Sequence, residues 1–154
     1  MGIHRIHEQI TIPATLEEVW EFISNPGNLK EITPDYMGFE IITPDLPEQM
    51  YPGMIISYRV APLFGIKLTW VTEITQVREK HYFVDEQRMG PYAMWHHEHF
   101  IEPTDHGIRM TDIVSYRLPL GFLGQLAHRA FIKKQLRNIF KYRKQALEIR
   151  FGKA

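Results

Sequence analysis

The chain has 154 residues, 44% hydrophobic and 12% aromatic, which supplies a real core and excludes intrinsic disorder. Lys plus Arg and Asp plus Glu number 18 each, so the total charge points to no nucleic-acid partner, and none is expected. The absence of cysteine excludes disulfides, a thiolate nucleophile and Cys-ligated zinc or iron–sulfur centres.

The opening stretch Met1–His7 lacks the apolar core of a signal peptide, and no run approaches the roughly 18 apolar residues of a membrane span. A cytoplasmic protein without stable membrane insertion is expected. Alternation of Ile6, Ile10 and Ile12 with Arg5, His7, Gln9 and Thr11 predicts a half-buried strand ending at Pro13. Thr15 and Glu18 then form a capping-box pattern ahead of Leu16, Val19, Trp20 and Ile23 at helical spacing. A second short helical segment carries Leu29 and Ile32 and stops before Pro34.

Turn residues next delimit six strands, expected over 37–43, 54–61, 67–78, 81–88, 92–102 and 108–118. The apolar loop Pro62–Ile66 is either a cover for a pocket mouth or a hairpin tip. Gly121–Gly124 is read as the turn that starts a helix, with a gating role left open. That helix is expected to reach about Phe151, with Leu126, Ala130, Leu136, Ile139, Phe140 and Leu147 on its apolar face. It carries Arg129, Lys133, Lys134, Arg137, Lys141, Arg143, Lys144, Arg150 and Lys153 against Glu148, a set read as a solvated face that leaves peripheral membrane contact open.

One long amphipathic helix is available to cover a six- to seven-stranded antiparallel sheet, so the sheet should curl around it as an α+β helix-grip domain spanning 1–154 and leave a cavity. Both a monomer and a homodimer are compatible with the strand edges.

The strings Ile12–Trp20, Phe83–Gln87 before Gly90-Pro91, Trp95–His99, and Arg109–Asp112 leading to Tyr116–Gly121 resemble the START-related SRPBCC superfamily, and most closely its bacterial ligand-binding branch. The superfamily includes plant pathogenesis-related allergens, polyketide cyclases and coenzyme-Q-binding proteins. The resemblance covers nearly the whole chain. It implies the helix-grip fold and a pocket for a small hydrophobic ligand, lipid-like, polyketide or aromatic, without naming a substrate or a catalytic set.

Strand period places Trp95, His97, His99 and Ile101 on one face. A symmetric hairpin at Pro103–Gly107 sets Ile101 opposite Met110, His99 opposite Asp112, His97 opposite Val114 and Trp95 opposite Tyr116. The same argument around Gly90-Pro91 sets Asp85 beside Trp95 and Phe83 beside His97. With Gln87 on that strand, Trp70 and Thr72 on the one before, and Tyr58 before that, an aromatic-walled face with a few polar groups is expected to bind the ligand.

A buried His99–Asp112 couple is either a satisfied hydrogen-bonding pair or, in an enzyme of cyclase, dehydratase or hydrolase type, a general base with Tyr58 or His97 donating to an oxyanion. No cofactor is expected. A metal held by His97, His99 and Asp112 is set aside because two histidines two apart on a strand sit about 7 Å apart along the backbone.

Overall fold

In the computed structural model, which describes residues 2–62 and 65–154 without the side chains of Gln125 and Arg129, the strand alternation builds one curved sheet. Strand β1 (His4–Ile12) leads into helix α1 (Leu16–Ile23). Thr15 Oγ1 accepts from the Glu18 amide at 3.3 Å, and the Thr15 amide donates to Glu18 Oε2 at 2.8 Å, so the expected capping box forms. Two 3₁₀ turns follow, Pro26–Ile32 and Asp35–Met37.

Strands β2 (Glu40–Ile41), β3 (Ile55–Val60), β4 (Leu68–Arg78), β5 (Tyr82–Met89), β6 (Met94–Thr104) and β7 (Gly107–Arg117) complete the sheet. All pairs are antiparallel, in the order β1-β7-β6-β5-β4-β3-β2. The strand expected over 37–43 shrinks to Glu40–Ile41. Gly38 takes a left-handed φ of 55° before it, and beyond it Thr43 Oγ1 accepts from the Ser57 amide at 2.7 Å, a side-chain bond that replaces a ladder bond. Of the Pro62–Ile66 loop, Leu63 and Phe64 lie outside the described residues.

The C-terminal helical stretch has three parts: α2 (Gly121–Ala127), a π turn (His128–Ile132) and α3 (Lys133–Phe151). Residues Gly121–Gly124 start the first helix, where the amides of Leu123 and Gly124 donate to the Leu120 carbonyl. The wider π turn shifts the helical phase, so Leu126 and Ala130, expected inside, are exposed. From the π turn onward the buried positions are His128, Ile132, Leu136, Phe140, Arg143 and Leu147.

One apolar cluster joins α1 to the sheet and the end of α3, with Val19, Trp20, Ile74, Ile101, Met110 and Leu147 at its centre. A second joins Val114 and Tyr116 of β7 to Ile132, Leu136 and Phe140. Between them the helix stands off the strands and a cavity remains.

Candidate ligand-binding site

The cavity has a volume of about 170 Å³. Its walls follow from the alternation of the strands: β3 contributes Ile56, Tyr58 and Val60, and β4 contributes Trp70, Thr72 and Ile74. Phe83, Trp95, Met37 and Phe39 extend the apolar wall, and α3 closes it with Leu136, Ile139 and Phe140. The aromatic groups brace one another. Tyr58 and Trp70 are nearly parallel with centroids 6.0 Å apart, and Trp70 meets Trp95 edge-on at 5.4 Å.

One corner is polar. His97 and His99 of β6, Asp85 of β5 and Arg143 of α3 line it, and Asp112 of β7 lies behind them. Asp85 Oδ2 is 2.6 Å from His99 Nε2 and 3.6 Å from His97 Nδ1. Asp112 Oδ1 accepts from His97 Nε2 at 2.9 Å and lies 3.1 Å from His99 Nδ1, while its Oδ2 accepts from Arg143 Nε at 3.1 Å. His99 Nδ1 is also 3.4 Å from Arg143 Nη2. A protonated His99 ring donates from Nδ1 to Asp112 and from Nε2 to Asp85; a neutral one either keeps its Nδ1–H toward Asp112 or accepts there from Arg143.

Burial pushes the Asp112 carboxyl up, but the Arg143 charge and the two histidine hydrogen bonds outweigh it and hold the group well below the usual carboxylate range. The same contest, with His99 as the main partner, leaves Asp85 low. Burial alone would lower His99, yet its hydrogen bonds to both carboxylates raise it, whereas burial and the neighbouring His99 charge lower His97. The imidazoles therefore split, with His99 taking up a proton more readily than His97. Burial pushes the Tyr58 hydroxyl up, so it stays an O–H group, 3.2 Å from Thr72 Oγ1. The Trp70 indole N–H is buried and has no hydrogen-bond partner among the described residues.

The profile of the family described as polyketide cyclase/dehydrase and lipid transport matches residues 12–142. The chain belongs to this family. No curated protein matches the chain. Among solved structures, a Thermus thermophilus protein is similar at 18% identity and a TM-score of 0.65, covering 97% of both chains. Ara h 8.0201 is 16% identical with a TM-score of 0.61, over 95% of this chain and 98% of its own. A Chromobacterium violaceum protein reaches a TM-score of 0.70 at 13% identity over the full length of both. At such identities these structures bear out the fold of this polyketide cyclase and lipid-transport family member and nothing finer. No helix among its described residues is long and apolar enough to cross a membrane.

Of the residues expected to bind ligand in this family member, Tyr58, Trp70, Thr72, Phe83, Asp85, Trp95, His97 and His99 line the cavity. The β6–β7 register is as expected at all four pairs. The β5–β6 register is shifted by two, with Asp85 opposite His97 and Phe83 opposite His99. Its cause is Gln87, whose side chain accepts from the Tyr92 amide at 3.1 Å and donates to the Tyr92 carbonyl at 2.7 Å, holding open a longer loop. Gln87 thus shapes the loop and does not line the cavity.

Ile101 and Met110 are packed into the core cluster instead. Val114 and Tyr116 pack beneath α3, and the Tyr116 hydroxyl bonds His128 Nε2 at 2.8 Å. Asp112 sits one layer behind the wall. Arg143, expected on a solvated basic face, is buried. Its place in the series 136, 140, 143, 147 is the signal that marks it. Tyr92 and Phe39, which also line the cavity, fall inside the strands expected over 92–102 and 37–43 but lie in loops, so strand alternation does not mark them.

Proposed function

We propose that the protein binds and carries a compact, mostly apolar ligand bearing one hydrogen-bond acceptor. The observation behind this is an aromatic enclosure whose lining residues include a few groups able to donate: the Tyr58 hydroxyl, His99, Arg143 and the Trp70 indole N–H, which is buried and has no hydrogen-bond partner among the described residues. Membership of a family described by lipid transport supports a hydrophobic ligand. An apolar cavity near 150 Å³ takes one benzene-sized molecule, so a volume of about 170 Å³ favours a single ring or a short chain over an extended polyketide.

A matched pair tests this: acetophenone and isopropylbenzene titrated separately, read by the indole N–H signals of Trp70 and Trp95. Acetophenone should bind about tenfold more tightly, roughly 1.4 kcal/mol, and should move the Trp70 signal. Equal affinities, or no change at either indole, would remove the proposal.

A second reading, an acid–base enzyme of cyclase, dehydratase or hydrolase type, is favoured by the four ionisable groups gathered at one wall. There His99 acts as the acid and His97, with its lowered pKa, as the base, reversing the expectation that His99 is the base. Incubating a compound extracted from the protein with wild type and with His97→Gln tests it. Conversion by wild type alone supports catalysis, and recovery of unchanged compound from both removes it.

A further inference from the structure

We propose that Asp85, His97 and His99 form a binding site for one divalent first-row transition ion of the zinc or iron(II) type. Their donor atoms all lie within 4.8 Å of one another. Although the strand rise separates the two histidines along the backbone, the side chains lean together and the ring centroids are 3.6 Å apart. Two ligands of one ion at about 2.1 Å stand roughly 3.0–3.4 Å from each other. The observed 2.6 Å from Asp85 to His99 and 3.6 Å from Asp85 to His97 bracket that span, so modest rotations would bring all three donors to a common point.

The far side of each ring supplies the stronger argument. Asp112 Oδ1 faces His97 Nε2 at 2.9 Å and His99 Nδ1 at 3.1 Å, the nitrogens turned away from Asp85. With the ion taking the place of the His99 Nε2 proton, one carboxylate oxygen receives an N–H from both rings, and the two remaining lone pairs, His97 Nδ1 and His99 Nε2, are directed toward Asp85. Outer carboxylates that fix metal-binding imidazoles work in this way. Arg143 holds the other oxygen of Asp112 at 3.1 Å and so anchors this support to α3.

Two imidazoles and one carboxylate suit zinc or iron(II) and are a poor set for magnesium or calcium, which prefer oxygen. Three protein ligands also leave coordination positions unfilled. Because the three residues line the cavity, those positions would face its contents, where an oxygen-bearing ligand could complete the shell. The site goes beyond the carrier reading, since an ion can bind whether or not an organic ligand does.

The test is calorimetric titration of chelator-treated, full-length protein with Zn²⁺ alone, together with Co²⁺ titration followed by the indole signals of Trp70 and Trp95. One ion per chain is expected, with Co²⁺ shifting both indoles, because the Trp95 and His97 ring centroids are 6.2 Å apart and the Trp70 ring lies 5.4 Å from that of Trp95. Asp112→Asn should weaken Zn²⁺ binding about 10- to 100-fold. His96→Ala should leave it unchanged, since His96 points to the opposite face and bonds Glu86 at 2.6 Å. No binding by wild type would overturn the site, as would binding that leaves both indoles unshifted or is lost in His96→Ala. The Co²⁺ measurement needs no variant to fold, and metal alone as the probe keeps this test separate from ligand carriage.

Discussion

Arg143→Met probes the arrangement most sharply, because it removes the buried cation that faces Asp112 from the helix and nearly keeps the side-chain volume. Asp112 has a side-chain exposure of 9%, so water cannot replace the guanidinium. Breaking a buried ion pair by deleting one partner costs about 3–5 kcal/mol. For a chain of this size each kcal/mol lowers Tm by about 2–4 °C, so a fall of roughly 6–20 °C is expected. Urea unfolding at pH 7 measures the loss directly. The double variant Asp112→Asn/Arg143→Met, which leaves no unpaired charge, should recover most of it.

The pH dependence follows with a definite sign. Asp112 has a lowered folded-state pKa, so its contribution is present above its unfolded value and is lost as pH falls through the folded one. The gap between wild type and Arg143→Met should therefore be widest near neutrality and close on acidification below about pH 4. A loss below about 1 kcal/mol at pH 7, or a gap independent of pH, would refute the reasoning.

In metal-free protein, His99 has the opposite sign. Its raised folded-state pKa gives stability that is fully present below about pH 6.5 and lost as pH rises through the folded value, so His99→Gln should flatten the alkaline fall seen by urea titration. Tyr116→Phe removes the bond to His128 and should cost about 0.5–1.5 kcal/mol in the same assay, with ligand binding unchanged. Gly107→Ala should cost more, about 1–3 kcal/mol, because Gly107 holds a φ of 120° and an added Cβ would run into the Ile12 carbonyl. Ile139→Trp should fill the cavity and abolish binding of acetophenone without lowering Tm by more than about 10 °C.

The parts of this fold that rest on local repetition were legible. Alternation in the long strands, the Thr15–Glu18 box and the tight Pro103–Gly107 turn all act between near neighbours, so the His99–Asp112 pairing could be derived from residues alone. The β5–β6 register could not, because a side chain, Gln87, decides how many residues the loop spends. The inward turn of Arg143 was obscured for a different reason. Its neighbours Lys141 and Lys144 are exposed, and composition made all three look alike although helical phase separates them. The π turn at His128–Ile132 hid the true apolar face upstream, since an extra residue per turn leaves no mark in a 3.6-residue pattern. The convergence of His97 and His99 was masked because backbone rise sets Cα spacing, whereas ring spacing depends on how the side chains lean.

Native mass spectrometry of the protein as purified from cells, followed by denaturing extraction, bears most directly on the claim that this cavity is a carrier's. Wild type should travel with an excess mass that extraction releases as one compact, largely apolar compound bearing an oxygen acceptor, and Ile139→Trp should travel at its bare mass. A bare wild-type mass, together with no binding of acetophenone in titration, would contradict the account.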